Sequence, residues 1–197
     1  MDIELKLHRE FATELDKNDL LKDFRKEFFI ADEQTIYLDG NSLGRMPVKT
    51  KTLISEVVEQ QWGSELIESW NKHWYLKSAE LGDKIAQIVG ASKGEVIVSD
   101  STSVNLYKLA FAALEFQKNK TEVLSDVHNF PTDLYILQGV LKHFGPDYQL
   151  KLAGSDDDIS INIEELKKKI TDKTALVLLS MVSFKSSFLY NAKQITE

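Results

Sequence analysis

Three short segments carry side chains able to bind and hold a reactive small molecule. The first is Ser99-Asp-Ser-Thr-Ser-Val-Asn105, lying between a strand-like and a helix-like stretch. Exposed backbone N–H groups there, with the hydroxyls of Ser101, Thr102 and Ser103, could together hold a phosphate. Simple helix N-capping would use the same residues, because Ser and Thr cap helices routinely. The second is Ser125-Asp-Val-His-Asn-Phe-Pro-Thr-Asp133. Phe130 stands just before a helix opened by Pro131, so its ring can project beyond the strand ends and stack on a flat cofactor. Asp133 could then offer a carboxylate to a ring nitrogen or to a hydrogen-bond network. Local packing of Phe130, with Asp133 as an ordinary first-turn acid, fits the pattern too. The third is Ser180-Met-Val-Ser-Phe-Lys-Ser-Ser187, where Ser180 and Ser183 leave a buried strand near one edge. Hydroxyls bonded to nearby backbone at a strand end would explain these equally well.

Other chemistries lose ground. The dinucleotide GxGxxG, Walker, GxSxG and HExxH patterns are all absent from the sequence. With 0 cysteines, disulfides, zinc–thiolate sites and thiol nucleophiles are excluded. His8, His73, His128 and His143 show no metal-ligand spacing, and only His128 falls within a candidate segment. The acidic run Ser155-Asp-Asp-Asp158 lacks an EF-hand pattern and reads as a solvated loop entering a helix, so no metal is expected. A net charge of −7 argues against nucleic acid and anionic membranes as partners. The first ten residues carry no apolar signal segment, and no stretch approaches a membrane span, which predicts a cytoplasmic protein. Hydrophobic and charged fractions of 43% and 28% are those of an ordinary globular chain.

The elements that must position these segments follow from periodicity. Phe11, Leu15, Leu20, Leu21, Phe24 and Phe28 recur at helical spacing, predicting one or two helices between Arg9 and Phe29. Thr35–Leu38 reads as a short strand ended by the turn-rich Asp39-Gly-Asn-Ser-Leu-Gly44. Pro47 suits the first turn of a helix running towards Trp70, and Ser78 could cap another that stops at Gly90. Strands are then predicted at Glu95–Ser99, Thr121–Ser125, Tyr148–Leu152 and Ala175–Val182. Helices are predicted at Thr102–Phe116, Pro131–Phe144 and Ile163–Ile170. Such alternation implies right-handed crossovers and an α/β fold with a mostly parallel sheet flanked by helices. Ligands of such sheets gather beyond the carboxyl ends of the strands, where all three segments fall.

Taken together the segments resemble the kynureninase family, enzymes of the aminotransferase-like fold type I superfamily that use pyridoxal 5'-phosphate. The residues carrying the resemblance are Tyr37-Leu-Asp-Gly-Asn-Ser-Leu-Gly44, Gln61-Trp-Gly63, Glu68-Ser-Trp-Asn71, Leu81-Gly-Asp-Lys-Ile-Ala86, Asp100-Ser-Thr-Ser-Val-Asn-Leu106 and Asn129-Phe-Pro-Thr-Asp133. They come in the family's order along nearly the whole chain. The resemblance implies an N-terminal helical segment and loop over 1–46, then the first part of a pyridoxal-phosphate-binding large domain over 47–197, incomplete at its C-terminal end. It implies that Thr102 and Ser103 bind the cofactor phosphate and that Phe130 stacks on the pyridine ring. Pro131 and Thr132 belong to the same cofactor-binding element, Asp133 lies beside the cofactor, Ser180 touches it, and Ser42 meets the substrate.

The implied reaction is hydrolysis of L-kynurenine or 3-hydroxykynurenine to L-alanine and anthranilate or its hydroxylated form, by a homodimer. The family's Schiff-base lysine, its main pyridine-facing carboxylate and a neighbouring histidine all fall beyond residue 197, so the chain alone is expected to be inactive. Lys185 does not match the Schiff-base position and reads as a loop lysine, while Ser187 stands where the family usually has glycine. Two other readings are another fold type I enzyme, such as a desulfurase-like lyase, and a non-catalytic binding or assembly module that retains only the cofactor cradle.

Overall fold

A computed structural model describes residues 8–196. The chain falls into two units, residues 1–97 and 98–197.

The first unit is helical. α1 spans Arg9–Asn18, opened by His8, whose ring nitrogen accepts from the Phe11 amide at 3.2 Å. A six-residue 3-10 turn, Lys22–Glu27, follows, so the predicted one or two helices are one helix and a short tight turn. Thr35–Leu38 forms no ladder among the described residues, contrary to expectation. Ile36 and Leu38, which would share one face of a strand, are 83% and 87% exposed, so that face is unpacked. The turn after it is organised by Asp39, whose carbonyl accepts from the Ser42 and Leu43 amides, and by Tyr37, whose hydroxyl donates to the Leu43 carbonyl at 2.6 Å. α2, Val48–Glu56, continues as a π-helical stretch, Val57–Trp62, and a second such stretch covers Trp70–Trp74.

α3 spans Lys77–Val89 and ends on Gly90, whose φ of +75° is the left-handed cap that glycine adopts without strain. Ser78 lies inside this helix rather than capping it. Residues 95–99, predicted as a strand, join no ladder among the described residues. Ile97 is 70% exposed, so its side chain is not packed as on the buried face of a strand.

The second unit is α/β, as predicted. α4 covers Thr102–Phe116, β1 Glu122–Asp126, α5 Pro131–Phe144, β2 Gln149–Ala153, α6 Ile163–Lys168, β3 Thr174–Val177 and α7 Ala192–Thr196. The three strands form a parallel sheet in the order β2-β1-β3. Central β1 is buried along its whole length, which explains its apolar Val123-Leu124 pair. α6 stops two residues short of the predicted Ile170. β3 is four residues long instead of the predicted eight; its register against β1 shifts between Glu122 and Val123, and past its end the Leu178 amide still donates to the Leu124 carbonyl at 2.8 Å.

Two apolar cores flank this sheet. Ala110, Leu114, Val123, Leu137, Val140 and Leu141 join α4 and α5 to β1. Leu124, Ala153, Ile161, Leu166 and Tyr190 form the other core. Alternate residues of β1 thus feed opposite cores, as the two-residue period of a strand demands.

Candidate functional site

In the hydroxyl-rich segment the capping role falls to one residue. Ser101 is the N-cap of α4, its Oγ accepting from the Val104 amide at 3.4 Å. Thr102 and Ser103 occupy the first helical turn, where the amides of an α-helix have no intrahelical acceptor. No described residue accepts from these two amides. Asn105 steadies the approach, donating to the Ser99 carbonyl at 2.6 Å. Asp100 adopts φ +42°, and its carboxylate is held by the Lys108 ammonium and the Ser99 hydroxyl. The Lys108 hydrogen bond and then that of Ser99 lower the Asp100 carboxyl below its ordinary range. A bound anion would therefore meet a carboxylate already paired with a cation.

The turn from β1 into α5 is built on buried polar groups. Phe130 is the N-cap residue of α5, and Pro131 opens the helix, where a missing N–H costs nothing. The Phe130 ring is 47% exposed and meets Phe184 edge-to-face, with centroids 5.0 Å apart. It therefore packs locally on one side and keeps open surface on the other. Pro131 and Thr132 are exposed, and Asp133 is half-buried in the first turn, its carboxyl pushed up by burial. Ser180 follows β3 and is tied to this turn through Asn129, to which its hydroxyl donates at 3.0 Å. An apolar cavity of about 460 Å³ borders Ser180, walled by Val177, Leu179, Met181, Tyr190 and Ile195.

The structure thus joins Phe130 and Ser180 through Asn129, with Phe184 beside them. Thr102 and Ser103 open α4, which packs on α5 in the first core. Ser42 is exposed in the turn of the first unit. Ser183 behaves as a structural hydroxyl, buried and accepting from the Ser186 amide at 3.4 Å. Lys185 is exposed in the turn that follows, as expected of a loop lysine. Asp157 accepts from the Ile159 and Ser160 amides, and from the Ser160 and Ser155 hydroxyls, within its own loop. Those bonds hold its carboxyl well below the usual range.

Of the buried layer beneath these residues, sequence reasoning singled out His128 alone and gave Asp126 and Tyr190 no role. Asp126 is 1% exposed, with Oδ1 accepting from the His128 amide at 2.7 Å. Asp126 Oδ2 and His128 Nε2 are buried and, among the described residues, meet no group in full hydrogen-bond geometry, the Tyr190 phenol lying near Asp126. Burial pushes the Asp126 carboxyl above its ordinary 3.8. The phenol of Tyr190 is likewise raised, by burial and then by the nearby Asp126 charge. A raised carboxyl favours the neutral form in the folded state. Its stability contribution is therefore complete below the unfolded value and lost as pH rises through the folded one. Asp126→Asn keeps an acceptor for the His128 amide without the charge. It should melt at higher temperature than the native chain at pH 7, with the gap closing as pH falls towards 4. An equal gap at both pH values would contradict this.

The turn at Ser187 bears on the position where the resemblance expects glycine. Ser187 has φ +60°, and its amide donates to the Ser183 carbonyl at 2.9 Å. The turn therefore keeps a glycine-like conformation despite the side chain, at a steric cost of about 1 kcal/mol. Ser187→Gly should raise stability by up to about 1 kcal/mol in a denaturant titration, and a loss instead would show that the hydroxyl matters.

No helix among the described residues is long and apolar enough to cross a membrane. No family model matches the chain. Curated proteins do. A kynureninase of Burkholderia pseudomallei (strain K96243) is 36% identical over 194 residues, covering 96% of this chain and 45% of its own length. A kynureninase of Pseudomonas fluorescens is 38% identical over 187 residues, covering 92% of this chain and 43% of its own. One from Burkholderia mallei (strain SAVP1) is 34% identical over 194 residues. The chain is thus similar to part of these kynureninases, and it spans somewhat less than half the length of the curated relatives it matches.

Proposed function

We propose that this chain is the cofactor-cradling part of a kynureninase that uses pyridoxal 5'-phosphate. The observation that carries the reading is the pair of Thr102 and Ser103 amides, without acceptors at the start of a 15-residue helix. Backbone N–H groups at the positive end of a helix suit a phosphate dianion, and two hydroxyls stand beside them. The half-exposed Phe130 ring offers a flat surface for a planar heterocycle. Asp133 supplies a half-buried carboxylate beside it, and Ser180 a hydroxyl. Pro131 and Thr132 fix the chain between Phe130 and Asp133. These residues fit such a cofactor in both charge and shape.

When bound, pyridoxal phosphate supplies an electron sink for the carbanion formed at the substrate's α-carbon. The residues of this chain bind and orient. Thr102 and Ser103 anchor the phosphate, Phe130 fixes the ring plane, and Asp133 and Ser180 hold the ring's rotation. The whole protein would hydrolyse the Cβ–Cγ bond of L-kynurenine or 3-hydroxykynurenine. Water is consumed, and L-alanine and anthranilate or 3-hydroxyanthranilate are released, a step of tryptophan catabolism leading towards NAD biosynthesis. We further propose that it works in the cytoplasm as a homodimer, with Ser42 in the 1–46 segment on the substrate side.

Complementation tests this reading. The purified chain should release no anthranilate from kynurenine. Mixing it with the complementary remainder of the Pseudomonas fluorescens kynureninase should restore release. Turnover by the chain alone would overturn the proposal that it supplies only the cofactor-cradling part. A folded but inactive mixture would overturn the catalytic reading and leave a binding or assembly module.

A further inference from the structure

Asn129 is 3% exposed, and its side-chain amide makes three hydrogen bonds. Nδ2 donates to Ser125 Oγ at 2.9 Å. Oδ1 accepts from the Phe130 backbone N–H at 2.8 Å and from Ser180 Oγ at 3.0 Å. The orientation of this amide follows from the first of those acceptances. A backbone N–H can only donate, so the atom facing Phe130 must be the carbonyl oxygen. The amide nitrogen then faces Ser125, which is fully buried and must accept. Ser180, facing the same oxygen, must spend its single hydroxyl proton on Asn129. Only lone pairs remain on Ser180 for any other group.

A local turn would not need this arrangement. The Asn129–Phe130 bond joins neighbours, but the bond to Ser180 spans 51 residues and links the β1–α5 turn to the segment leaving β3. Asn129 is thus the one side chain among the described residues that hydrogen-bonds both the backbone under the Phe130 ring and the Ser180 hydroxyl.

We propose that Asn129 is a positioning residue. It fixes the base of the Phe130 ring and the polarity of Ser180, so that Ser180 meets a ligand as a hydrogen-bond acceptor and the group opposite must be a donor. The proposal rests on the cofactor reading only for the identity of that ligand.

Two measurements separate the proposal from that reading. Without ligand, amide hydrogen exchange at Phe130 should speed up about five- to ten-fold in Asn129→Ala, the loss of one hydrogen bond. In Asn129→Asp, which keeps an oxygen acceptor, it should stay near the native rate. Ser180→Ala should move the side-chain amide resonance of Asn129, and this variant decides the matter if Asn129→Ala does not fold. Unchanged Phe130 exchange in a folded Asn129→Ala, or an unmoved Asn129 resonance in Ser180→Ala, overturns the proposal. With pyridoxamine 5'-phosphate as probe, Asn129→Ala and Ser180→Ala should each weaken binding about five-fold, and the double variant should be little weaker than either. Additive losses would overturn action through Ser180. If the native chain does not bind the probe, the cofactor reading fails, and the exchange and resonance measurements still decide the role of Asn129.

Discussion

Gly82→Ala should destabilise the first unit by about 3 kcal/mol, although alanine is the better helix former. Gly82 is buried within α3, and a Cβ built on it would lie 2.0 Å from the Val96 carbonyl oxygen and 2.7 Å from the Val96 carbonyl carbon. Both are backbone atoms, so no rotamer change can relieve the clash. Either α3 or the stretch at 96–97 must move. At an open helical site the same substitution would gain about 1 kcal/mol, so even the sign of the effect is diagnostic. Trp62, Trp70 and Trp74 are the chain's 3 tryptophans and all lie in residues 1–97, so denaturant unfolding read by tryptophan fluorescence reports on this unit. A midpoint at or above the native one would show that the close approach is absent.

Leu137→Ala should cost the second unit about 3 kcal/mol. Leu137 is fully buried on α5, in the core shared with Ala110 and Leu114 of α4 and Val123 of β1. Its loss removes buried methyl groups and leaves a cavity that rigid neighbours fill only in part. α5 also carries Phe130 and Asp133 at its start, so a loosened helix loosens the proposed ring platform. Unfolding followed by far-ultraviolet circular dichroism checks the loss. A shift below about 1 kcal/mol would mean that the two helices repack freely around the gap.

Much of this was legible in the residues. The boundaries of α4 at Thr102 and Phe116, and of α5 at Pro131 and Phe144, match the sequence pattern, because a Ser cap and a Pro at the first helical position are local signals. The parallel sheet followed from helices of crossover length between short apolar runs. The strands expected at 35–38 and 95–99 did not form, because a strand is completed by its neighbour and periodicity cannot supply one. At the candidate site, hydroxyls and an aromatic ring before proline were visible as types. The polar layer beneath them was not. Ser125, Asp126 and Asn129 read in sequence as an ordinary polar strand end and turn, and only the bond between Ser180 and Asn129 ties that turn to the segment leaving β3.

The account turns on whether this chain grips a phosphate-bearing pyridine. Calorimetric titration with pyridoxamine 5'-phosphate, compared with unphosphorylated pyridoxamine, tests that directly. Both ligands carry an amine in place of the aldehyde and form no imine with a lysine, so the outcome does not depend on a Schiff base. The account predicts saturable binding at least about ten-fold tighter for the phosphorylated ligand, a difference of about 1.4 kcal/mol, and loss of most of that difference when Thr102 and Ser103 are both replaced by proline and alanine respectively. Equal binding of the two ligands, or none of either by the folded chain, would contradict it.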